Sequence, residues 1–205
     1  MKQFRNFVLI AAAAAISIPA AMAQSATTTS TSATAPKYTI NQRKDNQQQR
    51  IGEGVENGSL TAGEAAHIEK QESHLNAEEK KMKSDGSLSE AERAKLQSQQ
   101  NHLSKEIYNQ KHDAQTQNLN PKSEVGQRQR NQQERIGEGI ENGSMTAKEA
   151  SHMERREAGM NKEIAGMRQA NGGKLTNGEK KFVNHQQNQN SKAIYNKKHN
   201  GRTRG

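Results

Sequence analysis

Asn57-Gly58-Ser59-Leu60-Thr61-Ala62-Gly63-Glu64 is the stretch that decides the fold of this chain. Glycine suits the left-handed backbone position that ends a helix. Thr61 followed three residues later by Glu64 makes a capping box, in which each side chain satisfies an orphan amide at the start of a helix. The segment therefore reads as a helix stop followed at once by a helix start. The same punctuation returns at Asp85 to Glu92, at Asn142 to Glu149 and at Gly172 to Glu179. Four such marks imply three helices in each half of the chain and six in all.

Working outward, the sequence is written twice. QRKDNQQQRIGEGVENGSLTAGEAAHIEKQE from Gln42 recurs as QRQRNQQERIGEGIENGSMTAKEASHMERRE from Gln127. The offset is 85 residues, and it becomes 87 from Leu88/Leu175 onward, so that Ile107-Tyr108-Asn109 returns as Ile194-Tyr195-Asn196. Each half thus reads as one structural unit. Ile68, Leu75 and Met82, and likewise Met153, Met160 and Met167, recur at seven-residue spacing; Leu96, Leu103 and Ile107 mark the third helix. Such narrow seams suit helical hairpins rather than a broad core. The first helix carries Ile51 and Val55 among Gly52 and Gly54, repeated at Gly137 and Gly139. Glycines inside a helix imply either close backbone packing or a helix that ends there. No strand pattern competes, so the expected fold is all-α, a tandem duplication of a three-helix unit.

Lys2, Arg5, the apolar run from Phe7 to Ile18 and Ala21-Met22-Ala23 before Gln24 form a signal-peptide pattern, with cleavage expected between Ala23 and Gln24. The protein is expected to be periplasmic or secreted, with no transmembrane segment after processing. The net charge of +9 falls to +7 when Lys2 and Arg5 leave. Tyr38, Tyr108, Phe182 and Tyr195 are then the only aromatics, and no cysteine can form a disulfide. Stability must come from helix propensity, capping, oligomerisation or a ligand. The expected organisation is a signal peptide at 1–23, a disordered Ser/Thr/Ala linker at 24–37, repeats at 38–114 and 125–200, a polar connector at 115–124 and a basic tail at 201–205.

Three readings bear on function. Gly58, Leu60, Thr61 and Glu64 fall where the loop of a calcium-binding EF-hand, which this stretch resembles, has its glycine, hydrophobic residue and last ligand. The resemblance implies a calcium loop using Glu53, Asn57 and Glu64, repeated at Glu138, Asn142 and Glu149, although Val55 supplies no side-chain oxygen. The punctuation also resembles the LTxxQ motif of periplasmic stress chaperones. It stands here as Leu60-Thr61…Glu64, Leu88-Ser89…Glu92, Met145-Thr146…Glu149 and Leu175-Thr176…Glu179, with Glu replacing Gln. That resemblance implies a small basic helical protein that holds unfolded clients, and flexible methionines could re-pack against varied apolar surfaces. Finally, Glu64/His67 and Glu149/His152 place a carboxylate and an imidazole on one helix face, and His112/His199 also recur; these are candidate ligands for a divalent metal.

Nucleic-acid recognition is not expected, because acidic and basic residues are interspersed and no stacking platform is evident. Glu78 and Glu79 read as an exposed pair that screening leaves unperturbed. The expectation is a non-catalytic, exported helical-repeat binding protein of the bacterial envelope. Protein clients or self-association are the leading partners, and an anionic envelope surface is a further one. Divalent-metal binding is the alternative and a self-associating matrix role the third; no catalytic residue and no obligatory cofactor are expected.

Overall fold

The structure, a computed structural model, describes residues 38–117 and 122–204. The expected signal peptide, its Ala23–Gln24 cleavage point and the 24–37 linker lie outside the described residues. Six α-helices follow in order: α1 (Ile40–Asn57), α2 (Ala62–Met82), α3 (Glu90–Lys111), α4 (Glu124–Glu141), α5 (Ala147–Ala170) and α6 (Asn177–Lys198), with a 3₁₀ turn at Lys83–Asp85 after α2. No strand occurs among the described residues. The class is all-α, as the punctuation implies.

The helix starts are local chemistry. Thr61, Ser89, Thr146 and Thr176 each cap a helix through a complete box with Glu64, Glu92, Glu149 and Glu179. A further box, Thr39 with Gln42, starts α1. At the other end, Gly58 (φ 74°) and Gly143 (φ 72°) occupy the left-handed position. The chain then folds back, and the Leu60 and Met145 amides donate to the Gly54 and Gly139 carbonyls at 2.9 Å.

Within each half, the third helix packs on the first two. Buried glutamines tie it there. Gln47 donates to the Gln100 carbonyl and Gln132 to that of Gln187, both at 2.8 Å. Gln100 and Gln187 donate in return to the carbonyls of Ile40 and Val125, both at 2.9 Å. A chain with little apolar surface thus uses buried amides to join its helices, their NH₂ groups paired while the Oε1 atoms of Gln47, Gln100, Gln132 and Gln187 are buried without a hydrogen-bond partner.

The halves meet along corresponding helices, α1 against α4 and α2 against α5. Ser151 Oγ donates at 2.8 Å to the carbonyl of Ala66, the residue 85 positions earlier that it matches in sequence. Gly52 and Gly137 meet in the same reciprocal way, which answers the question their sequence raised: the helices continue through them, and they admit close backbone packing. The main core crosses this junction, joining Ile51, Val55, Leu60 and Ile68 to Ile136, Ile140, Met145 and Met153. A smaller cluster of Val125, Met160, Ile164 and Val183 closes the far end of the second half.

The connector and tail have structural work. The Gln117 amide donates to the Gly58 carbonyl at 2.9 Å, and the Arg204 amide does the same to Gly143 at 3.0 Å. Arg204 also reaches the Ile140 carbonyl (3.0 Å) and Asp45 of the other half (3.1 Å).

Candidate functional site

The residues singled out from sequence are engaged locally. Glu64 accepts from the Thr61 amide at 2.8 Å and Glu149 from that of Thr146 at 3.2 Å. Glu149 is also reached by Asn200 (2.7 Å), Lys197 (3.6 Å) and Arg202 (3.7 Å). Burial pushes its carboxyl up, but the bonds from Asn200 and Thr146 outweigh this and hold it below the ordinary value. Glu53 pairs with Lys111 at 3.5 Å and Glu138 with Lys198 at 2.9 Å. Asn57 and Asn142 accept from the Ser59 and Ser144 amides, both at 2.9 Å. Those six positions therefore form turns, caps and ion pairs, and each E-x-x-H carboxylate is turned back to its own helix start.

The histidines divide into two kinds. His112 and His199 each stack on the tyrosine one turn earlier, with centroids 4.2 and 4.1 Å apart. Their Nδ1 atoms lie 2.7 Å from the Tyr108 and Tyr195 carbonyls. His67 instead faces Glu106 of α3 at 3.3 Å, and His102 approaches the other oxygen of that carboxylate at 3.9 Å. The second half has Ala193 and Gln189 where this cluster has Glu106 and His102. His152 is left beside Arg156, Arg155 and Lys197; desolvation first, then those charges, lower its pKa. No group of three His, Asp or Glu side chains is arranged to hold a metal among the described residues.

The chemistry that sequence reasoning missed lies on α2 and α5. Glu69, Glu72, Glu154 and Glu157 are fully buried. They correspond in pairs at the 85-residue offset. Gln48 donates to Glu69 and Gln133 to Glu154, both at 3.1 Å; Asn190 donates to Glu157. Glu69 Oε2, both Glu72 oxygens, Glu154 Oε1 and Glu157 Oε2 have no hydrogen-bond partner. An ionised carboxylate left this way is costly, so burial favours the protonated acid.

Burial pushes Glu72 up to about 7, against the opposing charges of Lys44 and Arg204. It pushes Glu157 up to about 8, against the Asn190 bond and Arg135. Glu69 is raised well above its ordinary value by burial and the neighbouring Glu72, and Glu154 chiefly by burial. At the α1–α4 side of the junction, Glu56 and Glu141 are also raised. Desolvation leads for both, followed by Glu141 for the first and Glu53 for the second. The four buried carboxyls on α2 and α5 thus favour the protonated form, and Glu56 and Glu141 are shifted in the same direction. The signal for the burial was present: Glu72 and Glu79 share the helix face of Ile68, Leu75 and Met82, and Glu69 and Glu72 are identical in both copies as Glu154 and Glu157.

Glu79 corrects a second expectation. It is buried rather than exposed, and it pairs with the equally buried Lys44 at 2.9 Å. Burial raises its carboxyl, but bonds from Lys83 and Lys44 reverse this and hold it below the ordinary value. In the second half the corresponding residues are Gln129 and Ile164, so both members of the pair are replaced together.

The chain matches no protein-family model, no curated protein and no solved structure. No helix among the described residues is long and apolar enough to cross a membrane.

Proposed function

We propose that this is a non-catalytic, exported binding protein of the bacterial envelope, holdase-like in action, whose client surface is the apolar junction between its two halves. One observation carries the reading: α2 and α5, which pack on each other and each contribute to the shared main core, also hold four buried glutamates with oxygens lacking partners. Protonated, these acids let the halves close. Ionised, each must reach water, and it does so when α2 and α5 part. Parting uncovers Ile68, Met145 and Met153 together, a flexible apolar surface of the kind that accommodates varied partners.

The closed form has little else to offer a client. Among the described residues its exposed large hydrophobics are Tyr38, Tyr108, Phe182 and Tyr195, and three of these are tyrosines, whose hydroxyl-bearing rings suit polar ligands better than apolar clients. The client surface is therefore latent, and rising pH uncovers it.

The test is aggregation of a reduced client protein at pH 5.5 and pH 8.5, with the full chain and with a variant in which Glu69, Glu72, Glu154 and Glu157 are all glutamine. Protection at the higher pH that the variant lacks supports the reading. Absence of protection at stoichiometric excess at both pH values overturns it.

A further inference from the structure

Both third helices carry the same exposed stripe. Lys105, Tyr108, Asn109 and His112 stand at i, i+3, i+4 and i+7 of α3, ending at its cap, and Lys192, Tyr195, Asn196 and His199 repeat them on α6. This spacing puts the four side chains on one face. The tyrosines are the most exposed large hydrophobics described, at 57% and 60%. The surface around them differs between the copies: His102 against Gln189, Glu106 against Ala193, Gln110 against Lys197 and Asp113 against Asn200. Asn101/Asn188, Ser104/Ser191 and Lys111/Lys198 are also identical, but each of these bonds to another helix of its own half; the four exposed identities are what such packing leaves unexplained.

Helix capping explains part of it. His112 and His199 bond the carbonyls of the stacked tyrosines, which accounts for the imidazoles. It does not account for Lys105, Lys192, Asn109 and Asn196, whose side chains have no hydrogen bond or ion pair among the described residues. It also gives no reason for an exposed phenol. The stack instead packs each tyrosine ring against its own histidine while leaving the residue more than half exposed. A ring ordered in advance loses little entropy on binding.

The chemistry on offer is an aromatic face, an amide able both to donate and to accept, and a cation. Cavities of about 300 to 480 Å³ occur elsewhere in the fold, and none of the four is lined by these residues. The ligand therefore lies on an open surface, which suits a polymer rather than an enclosed small molecule. The excess of positive charge, +9 over the full sequence and +7 without Lys2 and Arg5, calls for an anion. The free amide suits vicinal hydroxyls, and the exposed tyrosine ring suits the apolar face of a sugar ring. We propose that these two stripes are equivalent docking faces for an anionic glycan of the uronic-acid type.

The probe is immobilised polygalacturonate, tested with the full chain beside dextran, polyphosphate and single-stranded DNA at low salt. Retention on polygalacturonate and none on dextran is expected, with polyphosphate and DNA weaker. Tyr108→Ala with Tyr195→Ala should weaken retention about tenfold or more, and alanine in one half alone should remove the gain from two-point attachment. Phenylalanine at the same two positions keeps the ring and should retain binding. Lys80→Ala with Lys148→Ala removes two exposed charges elsewhere and should leave binding within about twofold, whereas Lys105→Ala with Lys192→Ala should not. No retention on polygalacturonate overturns the proposal. So does equal retention on polyphosphate or DNA, or an equal loss from the two lysine pairs.

Discussion

Gly52 and Gly137 lie backbone to backbone across the junction of the halves: a methyl group on Gly52 would stand 2.9 Å from the Gly137 carbonyl oxygen, and one on Gly137 would stand 3.0 Å from that of Gly52. Each added carbon would also overlap the side chain of the partner's neighbour, Glu141 or Glu56. The contact is reciprocal because corresponding surfaces of the two halves face each other.

Alanine at either position should therefore destabilise the protein. Helix propensity alone favours alanine over glycine by about 1 kcal/mol. Overpacking against a backbone atom works the other way by about 1–3 kcal/mol and should dominate. Gly159 and Gly166 of α5 have nothing within 4 Å of an added carbon. Alanine there should stabilise by about 0.5–1 kcal/mol each. Urea unfolding of the four variants reads both signs, and a stabilising Gly52→Ala would refute the close approach.

Stability should fall as pH rises from 5 to 8, the reverse of the usual behaviour of a carboxylate-rich surface. Glu72 and Glu157, raised to about 7 and about 8, bind their protons more tightly folded than unfolded. Their contribution is fully present below the ordinary glutamate value and is lost as pH climbs through the raised values, at up to about 1.4 kcal/mol per unit for each group. Glu78, Glu79, Glu92, Glu149 and Glu179 are shifted down. What they contribute is present above the ordinary value and lost in acid. The optimum should lie near pH 5, and the melting temperature should drop by about 5 °C or more by pH 8. Glu72→Gln with Glu157→Gln should flatten the curve; a wild-type melting temperature that rises over this range would count against the buried acids.

The second half supplies the design for replacing Lys44 and Glu79. Removing one partner of a buried pair strands the other, which costs about 3 kcal/mol or more. Lys44→Gln alone should therefore be destabilising, by less than that figure because Lys83 still donates to Glu79 at 2.6 Å, while Lys44→Gln with Glu79→Ile, the residues at 129 and 164, should recover most of the loss. A double-mutant cycle measures the coupling. Simple additivity of the two losses would show that the pair is not a unit.

The helix starts were legible because a capping box is a four-residue device that needs nothing from the rest of the chain. Thr61, Ser89, Thr146 and Thr176 could be placed without knowing the fold. The Thr39 box was missed because Gln42 stands where glutamate stands in the others. The all-α class followed from these marks; the meeting of α1 with α4 and α2 with α5 did not, because nothing local specifies which seams face. For the same reason Glu79 reads as exposed in the sequence and the other buried acids are not singled out. Glutamate reads as solvated until a partner helix covers it, and Glu69, Glu72 and Glu79 are covered by parts of the chain remote in sequence. Likewise, the E-x-x-H pairs shared a helix face as expected, but spacing alone could not show that Glu64 turns back to Thr61 while His67 turns toward Glu106.

Because like helices pair across the junction, each half carries its neighbour as a tethered substitute for a second molecule. The tether holds that neighbour at an effective concentration of order millimolar, so folding of the intact chain should be independent of dilution. Cleavage between 118 and 121 would turn the same contacts into a bimolecular equilibrium governed by mass action. The melting temperature of the nicked protein should then rise with its concentration, as measured by dilution series, while that of the uncut chain stays constant. The same geometry lets the first half of one molecule close on the second half of another, so concentrated, partly unfolded samples should yield exchanged dimers.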